Sequence, residues 1–394
     1  MREVVVAGVG MTAFGKHPGR SITSLVTESV GDALADAGVA AANSPIGAVF
    51  YGNVASGLLQ GQESTRGQHA ICECGLQGIP LINVENACAS GSTALNQAWL
   101  AVASGQVDMA IAIGAEKLHV EDKSRAFAAM TSALNQDRLD ELAADLGHSG
   151  TGSIFMDVYA RFATWYLQRS DATVEDFAAV SVKNHEHGLR NPKAQYGGRL
   201  TVDEVLSARK VSGPLTVPMC APMSDGAAAV VLTTPELATR YGAAPVRLLA
   251  TVVAAGHEGT YGELVPNAAR RAYEMAGVGP ADLDVIECHD AAAPAELIVL
   301  EELGVCEPGR APALLRAGET RIGGRLPVNP SGGLQSKGHP LGATGLAQVI
   351  ELVDQLRGRS GERQVAGARL ALAENAGGYL GPDAAVATIT ILGG

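Results

Sequence analysis

Asn329-Pro330-Ser331-Gly332-Gly333-Leu334-Gln335-Ser336-Lys337-Gly338-His339-Pro340-Leu341-Gly342-Ala343-Thr344-Gly345 holds one imidazole between a glycine and a proline, just ahead of a helical pattern. The surrounding glycines carry no side chains that could crowd His339, so the run predicts a rigidly placed imidazole beside open space for a ligand. Downstream, helical periodicity extends to Leu356, and residues 368–373 read as a strand of small apolar residues.

The same order of elements occurs earlier in the chain. Residues 24–39 (SLVTESVGDALADAGV) and 263–278 (ELVPNAARRAYEMAGV) are both helical stripes ending in Ala-Gly-Val. Each leads into a strand, residues 48–53 in one case and 284–289 in the other, so Asn53 and His289 fall at equivalent strand ends, where α/β proteins keep their chemistry. A glycine-rich loop, a helix and a closing strand follow in both places: residues 86–105 and 109–114, then 329–356 and 368–373. The expected organisation is therefore two α/β halves, residues 1–243 and 244–394. The first half carries an inserted loop-and-helix region at about 118–212, which is richer in charge and holds His119, His148, His185 and His187.

The loop of the first half contains Val84-Glu85-Asn86-Ala87-Cys88-Ala89-Ser90-Gly91-Ser92, between a buried-looking strand at 80–84 and a helix running through Trp99. A thiol at a helix N-terminus meets free backbone amides and the positive end of the helix dipole, which favour thiolate. Cys88 is thus a candidate nucleophile; the alternative at this level is an inert buried cysteine.

Bulk properties limit the function classes. The chain has 394 residues, 47% apolar, with 48 glycines and only 4% aromatics, which suits an α/β protein packed closely through small side chains. A net charge of −12 and no basic stripe argue against a nucleic-acid partner. No secretory leader and no long uncharged apolar run is visible, so a cytoplasmic protein without membrane insertion is expected. The six cysteines are scattered and are expected to be free thiols; Cys72 and Cys74 lack a second pair at zinc-site spacing, so no metal is expected.

The Asn86-x-Cys88-x-Ser90-Gly91 segment, the run from Gly338 to Gly345 and the order of elements together resemble the thiolase superfamily over essentially the whole chain. Cys288-His289-Asp290, Asn184-His185-Glu186-His187-Gly188 with Asn191-Pro192, and Ser224-Asp225-Gly226-Ala227-Ala228 resemble its sterol-carrier-type branch. The resemblance implies two duplicated α/β halves in a layered α-β-α-β-α sandwich, a homodimer, and acyl-coenzyme A as substrate with no permanently bound cofactor. It also implies a small partner built from a zinc ribbon and an oligonucleotide/oligosaccharide-type barrel.

By the same resemblance Cys88 accepts the acyl group, His339 activates the thiol and helps bind the thioester oxygen, and His289 stands where many thiolases have an asparagine that positions an oxyanion-hole water. The amides of Cys88 and Gly377 form an oxyanion hole, with Asn375 and Gly338 beside it. His148, flanked by glycine in residues 145–150, is a further candidate for the pocket. The implied reaction transfers an acyl group through Cys88 to coenzyme A or a carbon nucleophile, in lipid, steroid or aromatic-acid metabolism. Alternatives are a retro-aldolase, a branch with tyrosines at the places of His289 and His339, and a non-catalytic partner subunit. One departure stands out. Thiolases use a second cysteine to move the α-proton, and its two customary positions are Ala291 and Asn375 here; Cys288, next to His289 on a strand, should point away.

Overall fold

The computed structural model describes residues 1–40, 44–149, 152–259 and 262–394. The chain begins with β1 (Val5–Met11), α1 (Ile22–Asp36), β2 (Ala48–Gly52), two short helices α2 (Ser56–Gln60) and α3 (Arg66–Ala70), β3 (Leu81–Val84), α4 (Ser90–Ala103) and β4 (Met109–Lys117). The middle region contributes α5 (Lys123–Thr131), α6 (Leu139–Leu146), α7 (Ile154–Arg169), α8 (Val174–Leu189), α9 (Val202–Ser207) and a small hairpin of β5 (Lys210–Ser212) and β6 (Leu215–Thr216). After β7 (Asp225–Thr233) and α10 (Pro235–Arg240), the remainder runs β8 (Val246–Ala255), α11 (Leu264–Ala276), β9 (Val285–Glu287), α12 (Ala293–Glu302), α13 (Ala311–Arg316), α14 (Gly333–Lys337), α15 (Leu341–Leu356), β10 (Leu370–Gly377) and β11 (Val386–Gly393).

Among the described residues nine strands form one mixed sheet in the order β3-β2-β4-β7-β1-β8-β11-β10-β9. On one side β2 and β4 are parallel, while β7 runs antiparallel to β4 and β1. On the other side the pattern repeats, with β9 and β10 parallel and β11 antiparallel to β10 and β8. The two sets meet where Val5 and Val6 of β1 pair with Arg247 and Val246 of β8.

Helices α4 and α15 lie between the two sets of strands, sharing one core with the inner faces of β1, β4, β7 and β10. α1 covers the outer face of the first set, and α8, α11 and α12 cover that of the second, which gives five layers. The small-residue composition has its reason at the centre: a Cβ on Gly91 of α4 would lie 2.5 Å from the Gly342 carbonyl oxygen, and one on Gly342 would lie 2.7 Å from that of Gly52. Larger side chains would separate α4 from α15 and the loop ends that they carry.

Two expectations change. The strand at 80–84 is an exposed sheet edge, with Ile82 at 55% exposure, because among the described residues no strand covers the far side of β3. The strand expected at 284–289 is shorter, so Cys288 and His289 lie in the turn beyond β9.

Candidate active site

Cys88 sits two residues before α4, behind Ala87, whose backbone is held at φ 47°. A non-glycine residue in that left-handed region marks local strain of the kind that sharp functional turns store. In the same central layer, Pro340 ends the glycine-rich loop and α15 begins at Leu341. The two loop ends come together with the Cys88 Sγ 3.3 Å from His339 Nε2. On the other side of the ring, Nδ1 is 2.7 Å from the Thr344 hydroxyl, which donates its own proton to the Pro340 carbonyl. Thr344 must therefore accept from Nδ1–H, which leaves Nε2 as the acceptor facing the thiol. The ring of His289 stands edge-on to His339, with centroids 5.1 Å apart, and its Nε2 has no hydrogen-bond partner among the described residues.

Electrostatics differ from the expectation of a resting thiolate. Burial pushes the Cys88 thiol up to about 12 and the Glu116 carboxyl adds to this, against a smaller opposing pull from the backbone amides of Cys88 and Gly378. Desolvation outweighs the helix terminus. Burial, then His289 and Lys337, lowers His339 well below the ordinary imidazole range, and burial brings His289 to about 4. The resting pair is thus a neutral thiol and a neutral imidazole. Cys88, His289 and His339 also present donor atoms within 4.8 Å of one another, a spacing that a thiophilic cation would accept.

A buried polar frame holds these groups. Asn184 donates to Asp290 and Glu296, Asn329 donates to Glu296 and accepts from the Cys288 amide, and Lys183 pairs with Glu296 at 2.7 Å. His187 belongs to the same frame, with Nδ1 against the Asn329 carbonyl and Nε2 accepting from the Ile322 amide. The Cys288 thiol contacts Asn329 and stays outside the cavity.

Cys88, His289 and His339 open onto a cavity of about 680 Å³. α5 and α7 of the inserted region wall one side with Phe127, Met130, Phe155 and Phe162, and α12 brings Ala295 and Ile298 to the lining. Of the other residues expected at the site, Gly377 lines the cavity, and a Cβ there would lie 2.3 Å from the Asn86 carbonyl oxygen. Gly378 is the glycine whose amide acts on the sulfur. Asn375 points the other way from β10 and donates to Gln348. Gly338 backs onto Ser224, 2.5 Å from where its Cβ would be. His148 is absent from the lining and lies 2.6 Å from Asp157; of the two glycines beside it, Gly147 caps the preceding helix α6 and Gly150 lies outside the described residues.

Sequence reasoning missed Thr344, Gly378 and Glu374. The last had a readable signal: a single carboxylate in the small apolar strand LALAENAG, facing opposite to its neighbour Asn375.

Residues 4–205 match the thiolase N-terminal domain family and residues 251–393 the thiolase C-terminal domain-like family. The chain belongs to the thiolase family. It is 40% identical to an acetyl-CoA acetyltransferase of Methanothermobacter thermautotrophicus, over 98% of each chain. It is also 40% identical to a sterol carrier protein 2 of Gallus gallus, over 95% of this chain and 70% of that protein. Among solved structures, an Ltp2-ChsH2(DUF35) aldolase superposes with a TM-score of 0.81 at 25% identity, covering 99% of this chain and 97% of that one. The thiolase chain described here is accordingly an acyltransferase, and among its described residues no helix is long and apolar enough to cross a membrane.

Proposed function

We propose that this thiolase carries an acyl group on Cys88, taken from an acyl-coenzyme A and passed to coenzyme A or to a carbon nucleophile. The observation that carries the reading is the 3.3 Å contact between a neutral thiol and the acceptor nitrogen of His339, whose tautomer Thr344 fixes. As sulfur attacks the thioester carbonyl, its proton moves to Nε2 and from there to the departing coenzyme A thiolate. The amides of Cys88 and Gly377 then stabilise the oxyanion, the Gly378 amide favours negative charge on the sulfur, and His289 Nε2 is a further donor when it carries a proton. Arg209, exposed and part of the cavity lining, is a cation for coenzyme A phosphates.

The cavity favours a bulky, apolar acyl group. Likeness to the aldolase supports carbon–carbon cleavage of such a group, while the histidines at 289 and 339 favour the acyl-enzyme route. The remaining assignments belong to the same reading: a division near residue 243, a homodimer formed through the open edge of β3, and a small partner for which the two-component name of the aldolase speaks.

Intact-protein mass spectrometry after incubation with a panel of acyl-coenzyme A esters tests the route. An adduct of acyl mass should form and map to Cys88, and Cys88→Ser should remove it without loss of fold. Retention of the adduct in that variant, or its mapping to Cys220 or Cys288, would overturn the assignment.

A further inference from the structure

Carbon–carbon chemistry needs a group that moves the α-proton, and neither Ala291 nor Asn375 can do so. Glu374 is fully buried on β10 and is part of the cavity lining. One carboxylate oxygen, Oε2, accepts from the His289 amide at 2.9 Å; the other, Oε1, has no hydrogen-bond partner among the described residues. A buried carboxylate oxygen without a donor is costly to maintain unless something else meets it there. Because Glu374 is tied directly to the backbone of His289 and lies three residues before Gly377, it borders the space where the reacting carbons must sit.

We propose that Glu374 is the catalytic acid and base for the substrate α-carbon, in the place of a thiol at position 291 or 375. This rests on the acyl-Cys88 reading above. In condensation the Glu374 carboxylate removes an α-proton from the acceptor acyl-coenzyme A, and the C–H electron pair forms the new bond to the carbonyl carbon of acyl-Cys88. The tetrahedral adduct collapses, the C–Sγ pair returns to Cys88, and the site resets when the proton passes from Glu374 to that thiolate through solvent. In cleavage every bond change reverses, and the carboxyl gives its proton to carbon.

The competing thiol is Cys220, which also lines the cavity and neighbours Ala291, since the Ala221 amide donates to the Ala291 carbonyl at 2.9 Å. Its sulfur, however, is directed to the Thr216 carbonyl at 3.5 Å, and burial pushes it up to about 12. Burial brings the Glu374 carboxyl to about 7 against the opposing His289 amide, where donor and acceptor forms coexist at neutral pH. The titratable groups around it are Cys288 and His289 after β9, Tyr159 on α7 and Glu302 on α12, on which Asp383 before β11 also acts. α15 presents the uncharged Gln348, which donates to the Glu374 carbonyl.

The test uses acetyl-coenzyme A in deuterated water with the whole protein, following acylation of Cys88 by mass and deuterium entry at the methyl carbon by NMR. Glu374→Gln keeps an acceptor for the His289 amide. It should acylate Cys88 at a rate within a few-fold of the unaltered enzyme, while deuterium entry falls by about 100-fold or more. Entry should rise with pH through about 7 in the unaltered enzyme, as the carboxylate forms, and lose that rise in the variant. Unchanged exchange in Glu374→Gln, loss of exchange in Cys220→Ser instead, or equal loss of acylation and exchange would each overturn the proposal. No acylation of Cys88 in the unaltered enzyme would sink the acyl-Cys88 reading itself, and this proposal with it.

Discussion

Cys88 shows how a residue can be found for one reason and work for another. Its place before a helix suggests a thiolate, yet the sulfur is raised to about 12 and its imidazole partner is lowered, so at neutral pH one proton lies between two uncharged groups. Activation then belongs to the moment of attack, when His339 takes the proton. Because a raised thiol ionises only as pH climbs toward its own value, labelling of Cys88 by iodoacetamide should increase steadily from about pH 6 to about pH 10. His339→Ala should lower the neutral-pH rate by roughly ten-fold or more, since the proton acceptor is gone. Labelling that levels off below about pH 8 would reveal a thiolate–imidazolium pair instead, and an unchanged rate in the alanine variant would remove His339 from the step.

At the scale of elements, the frame beneath the site depends on a charged pair that water does not reach. Lys183 on α8 and Glu296 on α12 are both fully buried, and Lys183 Nζ also donates to the Val328 carbonyl. Lys183→Met would leave Glu296 without its counter-charge, at a cost of about 3–5 kcal/mol in stability, readable by denaturant unfolding. A loss below about 1 kcal/mol would mean that Glu296 takes up a proton cheaply or finds another partner. The helices α1 and α11 were legible because their apolar stripes repeat with the helical period: expected at 24–39 and 263–278, they lie at Ile22–Asp36 and Leu264–Ala276. The edge position of β3 was not legible, since apolar residues mark a strand without saying which neighbour is missing. Cys88 and His339 could be read because glycine and small residues surround them. Glu374 belongs to no motif, and only the direction of its side chain from β10 gives it meaning.

For the whole molecule, the division of labour is between a five-layer body that fixes the reacting groups and an inserted region that shapes the space above them. α5 and α7 supply aromatic and methionine side chains to a cavity whose volume, about 680 Å³, far exceeds the needs of an acetyl group. Pockets of this size and polarity bind by shape and apolar contact, with a few polar groups setting orientation. Filling the cavity should therefore discriminate by acyl size. Ala295 on α12 lines it, and Ala295→Leu adds bulk there without altering Cys88, His289 or His339. For a bulky acyl-coenzyme A the added side chain should cost about 1–3 kcal/mol of crowding, a fall in kcat/KM of roughly five-fold to 150-fold, whereas acetyl transfer to and from coenzyme A should change by less than about three-fold. Equal losses for both substrates would show that Ala295 acts on the reacting groups. Equal retention would place the acyl chain elsewhere and leave the cavity without the role given to it.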